Sequence, residues 1–109
     1  MSRIPKRYTN FMETYPEVGE AYKALGEAAL KAGPLDEKTR ELIKLGISVG
    51  ARMESAVKSH FRRAREAGAT VEELKHAVLL STTTIGFPNM MTAMSWIEVE
   101  LERENEPEA

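Results

Sequence analysis

Residues 36–68 read DEKTRELIKLGISVGARMESAVKSHFRRAREAG, and how this stretch folds decides how the chain folds. Asp36 suits a helix cap, accepting hydrogen bonds from the first free amides, and Glu37 suits the positive end of the helix dipole. Leu42, Ile43, Leu45, Gly46, Ile47, Val49 and Gly50 then make the segment apolar around most of its circumference. That pattern predicts a central helix rather than a surface one. Gly46 and Gly50 stand four apart on one face, and each lowers helix stability by about 1 kcal/mol relative to Ala. Their use there is expected to be the close approach of another helix. A bend at Arg52, Met53 and Glu54 leads into a second helix over 54–67. Ala56, Val57, His60, Phe61 and Ala64 form its inward face, opposite Lys58, Arg62, Arg63, Arg65 and Glu66. Glu41 of the first helix and His60 of the second can thus share one pocket. The plain alternative is a core histidine satisfied by a backbone carbonyl or by Glu41.

Downstream, Ala67-Gly68-Ala69-Thr70 supplies a glycine stop and a new cap, with Thr70 and Glu73 spaced as a capping box. A fourth helix is expected over 71–84, with Leu74, Ala77, Val78, Leu80 and Ser81 inward. The hydroxyl run Ser81 to Thr84 is unusual inside a helix; it reads as side chains bonded back to carbonyls one turn earlier, or as a polar cavity lining. Gly86-Phe87-Pro88 breaks the chain. Pro88 opens a last helix with Met90, Met91, Met94, Trp96, Ile97 and Leu101, side chains common at subunit contacts. The acidic end is expected to fray over 104–109. Upstream, residues 1–15 read as an N-terminal arm or short helix with Tyr8, Phe11 and Met12. Pro16 then opens a helix whose Val18, Tyr22, Leu25, Ala29 and Leu30 recur at helical steps.

Composition narrows the function. A chain of 109 residues is expected to form a single all-α domain, 1–109, of five or so helices. Fifteen basic against 17 acidic residues leave a net charge of −2, which argues against nucleic acid as a partner. No apolar run is long enough to span a membrane and none resembles a secretory signal, so a cytoplasmic protein is expected. With no cysteine and only His60 and His76 as imidazoles, no metal-ligand spacing remains.

Residues 34–101 resemble the carboxymuconolactone decarboxylase family, which includes the alkyl hydroperoxidase D proteins. The matching pieces are Asp36 to Ile43, Ala51-Arg52, Ser59-His60, Glu66 to Thr70, Glu72-Glu73-Leu74 and Gly86-Phe87-Pro88. In the hydroperoxidase branch the pattern is a glutamate, a C-x-x-C pair and a histidine. Glu41 and His60 fall on the first and last of these, whereas Met53 and Ala56 fall on the cysteine positions. A thioether has no proton to lose and a methyl group closes no disulfide, so thiol peroxidase activity is disfavoured.

For the decarboxylase branch the resemblance implies a reaction without a cofactor, in which a small lactone acid loses carbon dioxide into its own conjugated carbonyl. His60 would then be the general acid or base and Glu41 its orienting partner, with Arg52 or Lys58 holding a substrate carboxylate. The competing expectation is a helical oligomer that has lost catalysis and binds a small ligand or partner, its old site packed shut by Met53. The resemblance also implies a homo-oligomer, a trimer or a hexamer.

Overall fold

The computed structural model describes residues 4–106. All regular structure among them is helical, in the order α1 (Lys6–Thr14), α2 (Pro16–Lys31), α3 (Glu37–Gly50), α4 (Glu54–Glu66), α5 (Val71–Leu79), α6 (Thr82–Ile85) and α7 (Phe87–Glu104). One compact unit ends at Leu35 and a second begins at Asp36.

In the first unit the expected arm is a helix from Lys6, and α2 starts at Pro16 in the first turn, where its missing amide hydrogen costs nothing. Residues 1–3 of that arm lie outside the described residues. Met12 lies against the backbone of Gly19, where an added β-carbon would stand 2.5 Å from the Met12 sulfur. Phe11 and Tyr15 pack their rings 5.3 Å apart. On α2, Val18, Tyr22 and Leu25 stay 54, 60 and 68% exposed.

The second unit is built around the hairpin of α3 and α4. Asp36 caps α3 by accepting from the Thr39 amide at 2.8 Å. At its other end α3 closes with paired bonds from Arg52 N to Val49 O and from Met53 N to Ser48 O. This paired closure needs a left-handed residue and usually recruits glycine, yet here Arg52 takes φ 60°. The same closure ends α4, from Gly68 N to Arg65 O and Ala69 N to Ala64 O, with Gly68 at φ 99°. Thr70 and Glu73 then form the reciprocal capping box that starts α5.

Leu45 and Val49 of α3, Val57, Phe61 and Ala64 of α4, Leu74 and Val78 of α5, and Met90, Ala93 and Ile97 of α7 form the core. Glu100 is buried on the same face of α7 as Ile97; it accepts from Arg62 at 2.8 Å and from Arg103 at 3.2 Å.

Two expectations need correction, and the last helix ends one residue later than expected. The fourth helix stops at Leu79 instead of Thr84, because Ser81, Thr82 and Thr84 donate to the carbonyls of Val78, Leu79 and Leu80. The chain turns there and resumes as the single turn α6. The last helix continues through Glu104, where the Arg65 guanidinium grips the carboxylate with two nitrogens. Of the expected frayed tail, residues 107–109 lie outside the described residues. Finally, α3 is not covered on all sides: Ile43 and Ile47 are 45 and 64% exposed, and a β-carbon added at Gly46 or Gly50 would meet no atom within 4 Å.

Candidate functional site

Glu41 lies one turn into α3 and His60 lies in the second half of α4. With about 100° between successive residues, Glu41 shares the α3 face of Leu45 and Ser48, which is the face turned toward α4. His60 flanks the α4 face whose Val57, Phe61 and Ala64 are fully buried. Core packing between the two helices therefore holds both side chains in place. His60 Nδ1 stands 2.9 Å from Glu41 Oε1, with the two side chains 19 and 10% exposed. A carboxylate oxygen only accepts, so Nδ1 carries the proton in this bond and Nε2 takes no part in it.

Ala56 precedes His60 by one helical turn and Met53 caps the same helix, so both positions aligned with the cysteine pair sit on the His60 side of α4. Met53 is 55% exposed and does not pack the pair shut. Arg52 stands beside it in the left-handed position, exposed to solvent. Lys58 lies on the opposite face, as its helical position implies. It lies about 160° around α4 from His60, because two residues on a helix point to nearly opposite sides. Its ammonium pairs with Glu54 one turn earlier at 2.9 Å.

Sequence reasoning missed a groove on the opposite side of α3. Thr39, Leu42, Ile43, Gly46 and Gly50 form one wall, Glu73, His76, Ala77 and Leu80 the other, and Ser81, Thr84 and Ile85 close one end around a volume of about 560 Å³. Lys38 and Glu73 join the starts of α3 and α5 at 3.0 Å at its other end. Hydrogen bonds from the Thr70 amide and then from Lys38 hold the Glu73 carboxyl below the usual carboxylate range. Neither Glu41 nor His60 lines this groove. The signal was present in the sequence: Leu42, Gly46 and Gly50 fall on a different face of α3 from Leu45 and Val49, and one helix cannot bury both faces against one neighbour.

Among the described residues no group of three or more His, Asp or Glu is arranged to hold a metal ion. No described helix is long and apolar enough to cross a membrane.

Residues 16–99 match the sequence model of the carboxymuconolactone decarboxylase family. The crystal structure of a family protein from Legionella pneumophila is similar to this one, with a TM-score of 0.77 and 29% identity over 89% of this chain and 87% of that one. An uncharacterised protein of Haemophilus influenzae is 41% identical over 63 residues, which span 58% of this chain and 56% of that protein. An uncharacterised protein of Methanocaldococcus jannaschii is 30% identical over 87 residues, 79% of this chain and 84% of the other.

Proposed function

Because the chain belongs to the carboxymuconolactone decarboxylase family, we propose that it catalyses cofactor-free acid/base chemistry on a small lactone or carbonyl acid through Glu41 and His60. The observation that carries this reading is the 2.9 Å bond between Glu41 and His60 across the α3–α4 hairpin, in a chain that contains no cysteine. Proton transfer is the chemistry these side chains can perform, and thiol-based peroxide reduction is not. Loss of carbon dioxide from a lactone acid moves an electron pair into the conjugated carbonyl, and the resulting enolate carbon must gain a proton. His60 supplies that proton from Nε2, which first takes it up from solvent, and the ring returns to its Nδ1–H form as the carbon is protonated. Glu41 orients the ring through Nδ1 and offsets the imidazolium charge while it exists. Arg52 holds the substrate carboxylate at the bend.

The test is release of carbon dioxide from a panel of small lactone acids by the purified chain and by His60→Ala. Activity in the parent that is lost in the variant supports the reading. Equal activity in both, or none in the parent, removes it. The groove on the far side of α3 supports a second reading, in which the protein binds a ligand or partner without turnover. The two readings use different residues, so each can fail alone.

A further inference from the structure

Two bonds fix the register of the α3–α4 hairpin. Glu41 meets His60 at 2.9 Å, and Met53 N donates to Ser48 O at 3.1 Å, so each step toward the bend on α3 is matched by one on α4. Lys44 is therefore level with Val57, three steps or about 4.5 Å from the Glu41 and His60 pair toward the bend. Around α3, Leu45 and Val49 turn from Glu41 into the core, and Lys44 turns about 60° to the other flank. Leu45, Val49 and Phe61 fill the core side of the pair, so its small exposure to solvent opens on the Lys44 side. Ala56, one turn before His60 on the same face, brings only a methyl group there. Lys38, Lys58, Arg62, Arg65 and Arg103 each pair with a carboxylate. Lys44 is partly buried, yet among the described residues its ammonium has no ion pair and no hydrogen bond. A partly desolvated cation is costly to hold without a counter-charge.

We propose that Lys44 is the anion-holding residue of this site, its ammonium binding the carbonyl oxygen that turns negative when carbon dioxide leaves. This role rests on the reading of Glu41 and His60 as an acid/base pair and supplies a group that the pair lacks. When the bond to the departing carboxyl group breaks, its electron pair passes into the conjugated carbonyl and leaves an enolate oxygen. Glu41 cannot stabilise that oxygen, because a carboxylate only accepts. The Ser48 hydroxyl is committed to the Lys44 carbonyl at 2.8 Å, and His60 delivers its proton to carbon. A charge-assisted hydrogen bond from the Lys44 ammonium meets the oxygen where its charge develops. Protonation of the carbon by His60 returns the oxygen's pair to the carbonyl, so Lys44 keeps its proton throughout and ends as it began.

The test uses tetronate, a five-membered lactone ionised as its enolate, and γ-butyrolactone, a similar ring without the charge. Binding of each to the parent, Lys44→Met, Lys44→Arg and Lys75→Met is measured by calorimetry, with helix content checked by circular dichroism. Lys75 is an exposed cation on α5 that lines no part of the groove and serves as the control for net charge. The parent and Lys75→Met are expected to prefer tetronate. Lys44→Met should lose about 10- to 100-fold in tetronate affinity, and Lys44→Arg should recover part of it. With a lactone acid that the parent turns over, Lys44→Met should lower kcat by about 10²- to 10³-fold and change KM less. Equal binding of tetronate by the parent and Lys44→Met, no preference for tetronate in the parent, or an equal loss in Lys75→Met overturns the proposal. Turnover lost in His60→Ala but kept in Lys44→Met also overturns it and leaves the acid/base reading standing. A parent that binds tetronate through Lys44 but releases no carbon dioxide supports it and removes the decarboxylation reading instead.

Discussion

Glu41 Oε1 accepts from His60 Nδ1 at 2.9 Å, joining the buried face of α3 to the flank of α4 across the bend at Arg52 and Met53. The bond fixes which nitrogen of the imidazole holds its proton at rest. It also separates two contributions of Glu41, orientation and charge. A Gln at position 41 can still accept from Nδ1 but carries no charge. Glu41→Gln is expected to keep the ring orientation and to lower kcat for decarboxylation by less than His60→Ala does, with little change in KM. Steady-state kinetics of both variants check this.

Arg52 occupies a left-handed backbone position, which costs a non-glycine residue about 1–2 kcal/mol. Arg52→Gly is accordingly expected to raise stability by about 1 kcal/mol, read as a higher urea midpoint at unchanged slope. If Arg52 holds the substrate carboxylate, the same variant raises KM while it stabilises the fold. A gain in stability without a change in KM would leave Arg52 with no role in binding.

Glu100 is 3% exposed and is held by Arg62 and Arg103. Glu100→Ala leaves the Arg62 guanidinium, largely withdrawn from water, without its carboxylate. Breaking a buried pair in this way costs about 3–5 kcal/mol, and the partial exposure of Arg62 places the expected loss near the lower end. Thermal unfolding of the variant at neutral pH measures it. Arg103→Ala should cost far less, since that side chain is 46% exposed.

Hydrogen bonds from Thr39 hold the Asp36 carboxyl below its ordinary value, and those from Thr70 and Lys38 do the same for Glu73. Groups whose folded-state pKa is depressed add stability above their unfolded values and lose it as pH falls through the folded ones. The helix starts at α3 and α5 should therefore hold at pH 5 and above, and weaken as pH drops below about 4. Denaturation midpoints across pH 2–6 test this, and Asp36→Asn should flatten part of the acid dependence.

Features set by neighbours in sequence could be read from it. Asp36 before Thr39, the Thr70-to-Glu73 box and the glycine at 68 each act within one helical turn, and each does in the structure what its type and spacing imply. The Glu41 and His60 proximity was legible because α3 and α4 form one hairpin. Features set by distant partners were harder to read. Nothing local marks Arg52 for a left-handed turn. The extension of α7 through Glu104 depends on Arg65, 39 residues away. Glu100 offered a signal that passed unused: it lies three residues from Ile97, on a face otherwise filled by core side chains, where a carboxylate requires a basic partner. Lys58 was a candidate for holding a substrate carboxylate, although the helical geometry already legible in the sequence turns it away from His60.

The central claim is that this site moves protons and not electrons. It is tested most directly by the rate of carbon dioxide release from a small lactone acid, parent against His60→Ala, with both proteins shown to have the same helix content. The account predicts turnover in the parent and a fall of about 10²- to 10⁴-fold in the variant. Undiminished turnover by His60→Ala, or hydroperoxide consumption by the parent that depends on an added dithiol, would contradict it.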